Sequence, residues 1–264
     1  MTATPLLYSA AGVFVGVMVG FTGVGGGSLM TPMLMLLFGQ SPAVAVGTDL
    51  LFSAATKVAA TASFGYSKRI EWQIVGRLAA GSLPGTVAII VWFWITRHTP
   101  EVDDHLITRC VAAMLAVTAI GLLLQGRLQR LASRPDATCQ PRVERFKLSL
   151  TIVAGLVVGA GVTLTSVGAG ALGTVALFAL YPRRLTPDRL VATDVAHALP
   201  VTLIAGVGHA ALGHLNAPVL GWLLLGSVPG VLIASRLTMR LPAVFVRILI
   251  AVMLVLASYK MLLR

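Results

Sequence analysis

Charged residues are scarce in this sequence. Only 11% of its 264 residues are Asp, Glu, Lys or Arg, whereas 57% are hydrophobic, and the mean hydropathy is +0.90. A water-soluble domain of this length needs more charge to cover its surface. The shortage therefore excludes an ordinary soluble domain and predicts an all-α polytopic membrane protein.

Acidic residues and cysteines are few as well. Nine Asp and Glu stand against 20 Lys and Arg, which gives a net charge of +11. The basic residues lie in short loops without an aromatic-basic recognition module, so we expect them to orient the chain in a bilayer and predict no nucleic-acid partner. Cys110 and Cys139 match neither a disulfide framework nor a zinc motif, and we predict no metal and no cofactor.

Signatures of enzymatic and ATP-driven chemistry are absent too. The sequence contains no P-loop, no nucleophile-base pair and no separate soluble catalytic domain. We therefore predict that the protein is not an enzyme, and that any transport draws on an ion gradient or a partner.

Long apolar segments make up most of the chain. Segments 6–21, 42–66, 72–95 and 106–124 are each of a length that crosses a bilayer as a helix. Segment 28–38 is too short to cross a hydrocarbon core of about 30 Å at about 1.5 Å per residue, and it predicts a half-helix or re-entrant arm.

The second half of the chain repeats motifs of the first. Gly47-Thr-Asp49 recurs as Ala192-Thr-Asp194, and Gly81-Ser-Leu-Pro-Gly85 recurs as Gly226-Ser-Val-Pro-Gly230, both displaced by 145 residues. Motifs repeated in one register predict an internal duplication. The predicted units are transmembrane repeat 1 over 1–125, a basic cytoplasmic linker over 126–147 and transmembrane repeat 2 over 148–264.

Loop charges predict how these repeats lie in the membrane. An odd number of crossings in each repeat inverts one relative to the other, and we predict this arrangement; an even number would leave them parallel. With the N-terminus outside, the Lys68-Arg69 loop and the basic linker lie in the cytoplasm and the acidic loop near Asp103 lies outside, as the positive-inside rule requires.

Two glycine-rich stretches stand out within the apolar sequence. Thr22-Gly-Val-Gly-Gly-Gly-Ser28 recurs as Thr165-Ser-Val-Gly-Ala-Gly-Ala171, displaced by 143 residues. Backbone exposed at membrane depth must face protein or a polar cavity, and half-helix N-termini attract anions. We therefore predict broken-helix loops around one anion site; the alternative is that the glycines only permit close helix packing. The predicted binding residues here are Thr22, Gly25, Gly26, Gly27, Ser28, Thr165, Ser166, Gly168 and Gly170.

Asp49 and Asp194 predict a functional site because a carboxylate in an apolar helix must be paired, protonated or bound to a cation. We assign both to coupling with H+ or Na+ and place Lys57, together with Thr48 and Thr193, in the binding site. A buried ion pair or helix cap that locks the two repeats together is the alternative.

His197 lies three residues after Asp194, where that carboxylate would orient its ring. This spacing predicts a proton-coupling role for His197. A histidine held by a hydrogen bond in the core is the alternative.

The ordered motifs resemble a known family. Gly23-Val-Gly-Gly-Gly-Ser-Leu29 with Pro32, then Ala45-Val-Gly-Thr-Asp-Leu-Leu51 and Lys57, is similar to the first half of the TauE/SafE sulfite exporter family. The second half is similar to a branch of that family through Thr165-Ser-Val-Gly-Ala-Gly170, Ala192-Thr-Asp194, His197-Ala-Leu-Pro200, Ala205-Gly-Val-Gly-His209 and Gly226-Ser-Val-Pro-Gly230. The resemblance implies transport of sulfite, sulfonates or related sulfur-containing anions across the bacterial plasma membrane.

We accordingly expect a secondary transporter that exposes one anion site alternately to the two sides of the bilayer. Two alternatives stay open: a membrane-embedded enzyme or assembly factor that handles a sulfur compound, and a channel-like facilitator. Import or export, and assembly as a homo-oligomer, stay open as well.

Overall fold

The computed structural model of the protein describes residues 5–22, 27–66, 68–96, 100–132, 141–168, 170–181, 185–237 and 243–263. Over these residues the chain forms ten helices and no strand, which confirms the all-α prediction. In chain order the helices are α1 (Pro5–Thr22), α2 (Gly27–Leu36), α3 (Pro42–Tyr66), α4 (Trp72–Thr96), α5 (Pro100–Ala132), α6 (Pro141–Thr165), α7 (Ala171–Leu180), α8 (Pro187–Ala211), α9 (Ala217–Leu237) and α10 (Ala243–Leu262).

Helix bounds follow the apolar segments closely. α3 begins at Pro42, a residue suited to the first helical position because its missing N–H would have no helical partner there. α2 has ten residues, so at about 1.5 Å per residue it cannot cross the bilayer, as expected of a half-helix. α7, which follows the second glycine-rich stretch, also has ten residues.

The ends of the predicted linker are helical. α5 continues to Ala132 and α6 begins at Pro141, so described helices cover 126–132 and 141–147. Residues 126–132 are mostly Leu, Arg, Gln and Ala, residues that favour helix, so this part of the predicted linker continues α5 as a helix.

Several helices are suited to a bilayer. Pro42–Ala62, Trp72–Thr96, Asp104–Leu124, Phe146–Thr165 and Arg189–Ala211 are long and apolar enough to cross it. Large apolar side chains such as Trp94, Leu123 and Val157 are more than half exposed, as expected of a surface that faces lipid. The protein is a helical membrane protein.

The helices pack in four main pairs: α1 with α9, α4 with α6, α3 with α8 and α5 with α10. Glycines bring two of these pairs into backbone contact. Gly81 and Gly85 on α4 lie directly against α6, and Gly226 and Gly230 on α9 lie in the same way against α1. A β-carbon at Gly85 would approach the backbone oxygen of Leu156 to 2.7 Å. The repeated Gly-Ser-x-Pro-Gly motifs are therefore helix-crossing points.

α3 and α8 run antiparallel and are joined at both ends. The N–H of Asn216, just past α8, donates to Thr48 Oγ1 near the start of α3 (3.1 Å). The N–H of Glu71, just past α3, donates to Thr193 Oγ1 near the start of α8 (3.1 Å). Both partners of one bond are displaced by 145 residues from those of the other, 48 to 193 and 71 to 216. The helices that carry the repeated Thr-Asp motif thus cross in opposite directions.

Candidate functional site

The Asp49 carboxyl on α3 is held by the short helix α2. Thr31 donates its backbone N–H (3.2 Å) and its hydroxyl (2.5 Å) to Asp49 Oδ2. The side chain is fully buried, and its other oxygen, Oδ1, has no hydrogen-bond partner. An unsatisfied buried carboxylate oxygen costs free energy, so this group marks the centre of a candidate site.

Ser166 brings the second glycine-rich stretch to the same carboxyl. α6 ends at Thr165, and Ser166 follows in a left-handed conformation with φ of 56°, which is costly for a residue with a side chain. Its buried hydroxyl contributes to the electrostatic environment of the Asp49 carboxyl. Asp49 therefore lies between α2 and the end of α6.

Asp194 has a related environment on α8. Its Oδ1 lies against Gly173 in the first turn of α7, so closely that a β-carbon there would overlap it. This oxygen also has no hydrogen-bond partner, and the side chain is buried. Each aspartate thus faces the N-terminal half of a ten-residue helix, the end whose dipole favours negative charge.

Lys57 is the buried cation of the site. Its ammonium donates to Ser53 Oγ on the same helix and interacts electrostatically with both Asp49 and Asp194. Among the described residues it forms no ion pair with either carboxylate, so the locking ion pair considered from the sequence is not formed. With all three groups ionised, the buried set carries a net charge of −1.

Thr48 and Thr193, predicted to bind substrate, take part in the bonds that join α3 to α8. Thr48 Oγ1 accepts the N–H of Asn216, and Thr193 Oγ1 accepts that of Glu71 while donating to the backbone oxygen of Arg189 (2.6 Å). The structure therefore gives these hydroxyls a role at the helix ends.

The second glycine-rich stretch is shaped by its own hydrogen bonds. Thr165 Oγ1 donates to the backbone oxygen of Gly161 (2.7 Å) and accepts the N–H of Val167 (3.1 Å). Gly168 has φ of 104°, a conformation that side chains disfavour, and Gly170 directly precedes α7. Of the residues predicted here, Ser166 is the one whose hydroxyl is left without a partner.

His197 has a different partner from the one predicted. Its Nε2 lies 2.8 Å from Ser82 Oγ on α4, and its Nδ1 has no hydrogen-bond partner. The Asp194 carboxyl does not orient the ring, because Asp194 turns toward α7 while His197 turns toward α4. Spacing along α8 correctly places the two residues near one another but does not decide which neighbouring helix each side chain reaches.

Part of the predicted site lies outside the described residues. This applies to positions 23–26, with Gly25 and Gly26, and to the side chains of Thr22 and Ser28; Gly27 begins α2. Sequence reasoning missed Thr31, Gly173 and Ser82. Thr31 carries a signal that was available, since it is a hydroxyl residue on an apolar half-helix directly after the glycines.

The site is closed to solvent. Asp49, Lys57 and Asp194 are at most 4% exposed. A cavity of 920 Å³ lies elsewhere, beside Gln40 and Arg109, and one of 480 Å³ lies beside Thr61, and neither is lined by the three charged groups.

Comparison with known proteins identifies the family of this chain. The family model described as sulfite exporter TauE/SafE matches residues 8–261. The chain is 37% identical over 229 residues to the probable membrane transporter protein YjnA of Bacillus subtilis (strain 168), covering 87% of this chain and 88% of that protein. It is 24% identical over 232 residues to the probable membrane transporter protein YdhB of the same organism, covering 88% and 89%. No solved structure matches the chain significantly. The chain belongs to the sulfite exporter TauE/SafE family of membrane transporters.

Proposed function

We propose that the protein is a secondary transporter of a small sulfur-containing oxyanion, such as sulfite or a sulfonate, which binds between α3 and α8. One observation carries this proposal: two antiparallel helices place buried carboxylates against the N-terminal halves of ten-residue helices, with Lys57 within electrostatic reach of both. Ionisable groups inside membrane segments are costly and mark transport pathways. Half-helix ends at an interface between repeats are where such transporters bind anions and ions.

The two halves act as inverted repeats in this proposal. Antiparallel packing of α3 and α8, which carry the same motif, supports it, and so does the pair of bonds Thr48 to Asn216 and Thr193 to Glu71. α1 and α6 are the first helices of the two repeats, and α4 and α9 are the fourth. The contact between α1 and α9 therefore corresponds to the contact between α6 and α4. The closed site is then the occluded state between outward and inward exposure.

Charge balance implies coupling to a cation. Asp49, Asp194 and Lys57 together carry a net charge of −1 when all three are ionised. A bound oxyanion would make this net charge −2 in a poorly solvated part of the protein. A cation, H+ or Na+, therefore accompanies the anion, and its gradient drives the cycle.

The proposed orientation in the bacterial plasma membrane has the N-terminus outside and the Lys68-Arg69 loop in the cytoplasm. In a background without Cys110 and Cys139, a membrane-impermeant maleimide applied to intact cells then labels Ala217→Cys and not Lys68→Cys. The reverse labelling pattern would contradict this orientation.

Uptake of radiolabelled sulfite into proteoliposomes tests transport. We expect saturable uptake that Lys57→Gln lowers by at least about tenfold, because two buried carboxylates would then repel the anion without a counter-charge. Lys260→Gln, at an exposed lysine on α10, is the matched control and should transport normally. Saturable ligand binding with no flux would contradict a transporter. Thermal stabilisation by sulfite, thiosulfate, sulfoacetate, taurine and sulfate then identifies the anion.

A further inference from the structure

A cavity of 920 Å³ lies beside the end of the short helix α2. Its lining comes from α2, the start of α3, α5 and the end of α10, and includes Met35, Gln40, Pro42, Asp104, Arg109 and Met261. The apolar spans of α3 and α5 begin at Pro42 and Asp104. The cavity therefore lies at the surface of the bilayer, on the side where α3 begins.

The helix faces that line this cavity continue inward to the Asp49 carboxyl. Met35 lies one helical turn after Thr31, whose hydroxyl donates to Asp49. Pro42 lies seven residues before Asp49 on α3, and residues four or seven apart share a helix face. At about 1.5 Å per residue, the cavity therefore ends about 6 Å along α2 from the level of Thr31.

Met35 and Ala45 separate the cavity from the carboxyl. Met35 lines the cavity and is 5% exposed, whereas Ala45, on the same face of α3 as Asp49, is fully buried. A methionine side chain has three rotatable bonds and changes shape easily. The corresponding position on α7, displaced by 143 residues, holds Phe178, a buried ring that packs within an apolar cluster. The end of the site with Met35 is therefore the easier one to open.

The polar groups of the cavity suit water and an anion. Gln40 has a buried side-chain oxygen, Oε1, without a hydrogen-bond partner among the described residues, as expected where water enters. The exposed guanidinium of Arg109 offers the fork of donors that binds oxyanions. Asp104 also lines the cavity, and Arg109 offsets its charge, so an anion is not repelled from the entrance.

We propose that this cavity is the entrance through which the oxyanion reaches the Asp49 site, and that the Met35 side chain closes it. The passage of the anion rests on the proposed function, whereas the water-filled entrance and its closure by Met35 do not. When the methionine moves aside, the site opens to the side of the membrane at which α3 begins.

Cysteine reactivity tests the entrance in purified protein whose two native cysteines have been replaced. The reagent is 2-sulfonatoethyl methanethiosulfonate, a small sulfonate, and mass spectrometry of the intact protein follows the reaction. Leu36→Cys, in the lining, should react readily, and Ala45→Cys, in the core, slowly. Met35→Ala should speed the reaction of Ala45→Cys at least about tenfold, because the side chain that must move aside is gone.

A second methionine on α2 supplies the matched control. Met33 lies on the opposite side of this helix and does not line the cavity, so Met33→Ala should leave the reaction of Ala45→Cys unchanged. Met35→Val, a smaller truncation, should give an intermediate rate, so the test does not depend on one variant. A rate that neither Met35 variant changes, or an equal rise with Met33→Ala, would overturn closure by Met35. An unreactive Leu36→Cys would overturn the entrance itself.

Reagents of opposite charge test whether the entrance favours anions. At Leu36→Cys, Arg109→Gln should slow the sulfonate reagent about threefold relative to the cationic 2-aminoethyl methanethiosulfonate, because the local positive charge is lost. Lys68→Gln, beyond the opposite end of α3, should leave this ratio unchanged. The same ratio with and without Arg109 would overturn the preference for anions.

The outcomes distinguish the entrance from the transport function. Reactivity as expected without any sulfite flux would keep the entrance and contradict the transport function. Saturable sulfite flux, together with an Ala45→Cys that stays unreactive in Met35→Ala, would keep the transport function and overturn the entrance.

Discussion

Thr31 is the residue on which the environment of Asp49 most depends. It supplies two donors to one carboxylate oxygen, and a hydrogen bond to a charged group contributes about 1.5–3 kcal/mol. The corresponding threonine on α7, Thr174, donates instead to the backbone oxygen of Gly170 next to its own helix. The two carboxylates therefore share a position but are held differently.

Removing the Thr31 hydroxyl should destabilise the protein more than removing its counterpart. We expect Thr31→Val to lower the free energy of unfolding by about 2 kcal/mol, because Asp49 stays buried with one donor fewer. Thr174→Val, which leaves no carboxylate short of a donor, should cost about 1 kcal/mol or less. Thermal unfolding of the purified variants in one detergent measures both. Equal losses would contradict the assignment of Thr31 as the partner that holds Asp49.

At the scale of elements, the glycine motifs on α4 and α9 set how closely the helices cross. The hydrophobic effect does not drive helices together inside a bilayer, because lipid tails are as apolar as the side chains. Close contact therefore depends on small residues that let the backbones approach. Gly81 lies against the backbone of α6, which cannot move aside as a flexible side chain would. Gly76, five residues earlier on α4, has open space around it.

These two glycines give a matched pair of substitutions on one helix. Gly81→Ala should reduce stability by about 2 kcal/mol or more, because its β-carbon would overlap the backbone oxygen of Ile152 and separate the helices. Gly76→Ala should leave stability unchanged or raise it slightly, since alanine favours helix. Unfolding temperature and the yield of monodisperse protein report the difference. Tolerance of Gly81→Ala would show that α4 and α6 do not cross here.

At the scale of the whole molecule, the two ends of the α3–α8 pair are held by related but unequal contacts. Both ends have a threonine that accepts a backbone N–H (3.1 Å). The end at Thr193 also has an ion pair between Arg189 and Glu71 (2.8 Å) whose arginine is 42% exposed. A partly exposed ion pair contributes little, about 0.5 kcal/mol. In the proposed transport cycle it therefore biases the equilibrium between the open and closed forms of this end without locking it.

Loss of this ion pair should open one end of the site selectively. In a background without Cys110 and Cys139, we expect Arg189→Gln to raise maleimide labelling of Ala196→Cys about twofold, the factor that a loss of about 0.5 kcal/mol gives. Ala45→Cys, buried near the opposite end of α3, should label at the same rate with or without Arg189. An equal rise at both positions would indicate general loosening of the fold and contradict a gate at this end.

The class of this protein and most of its helices can be predicted from the amino-acid sequence. Scarce charge and apolar segments predict a helical membrane protein, and the bounds of α3 and the shortness of α2 follow from segment length, because spanning a bilayer is a one-dimensional requirement. The ordered motifs identified the family, which the family model confirms. Binding by the first glycine-rich stretch stays a prediction.

Contacts between side chains on different helices could not be predicted in this way. Spacing on α8 predicted that Asp194 orients His197, yet the two turn to different helices, and Thr48 and Thr193 bond to the turns beyond the partner helix. Ser166 interacts with Asp49, although the two residues are far apart in the chain. Such contacts depend on the direction in which packed helices cross, and the periodicity of a single helix carries no information about that direction.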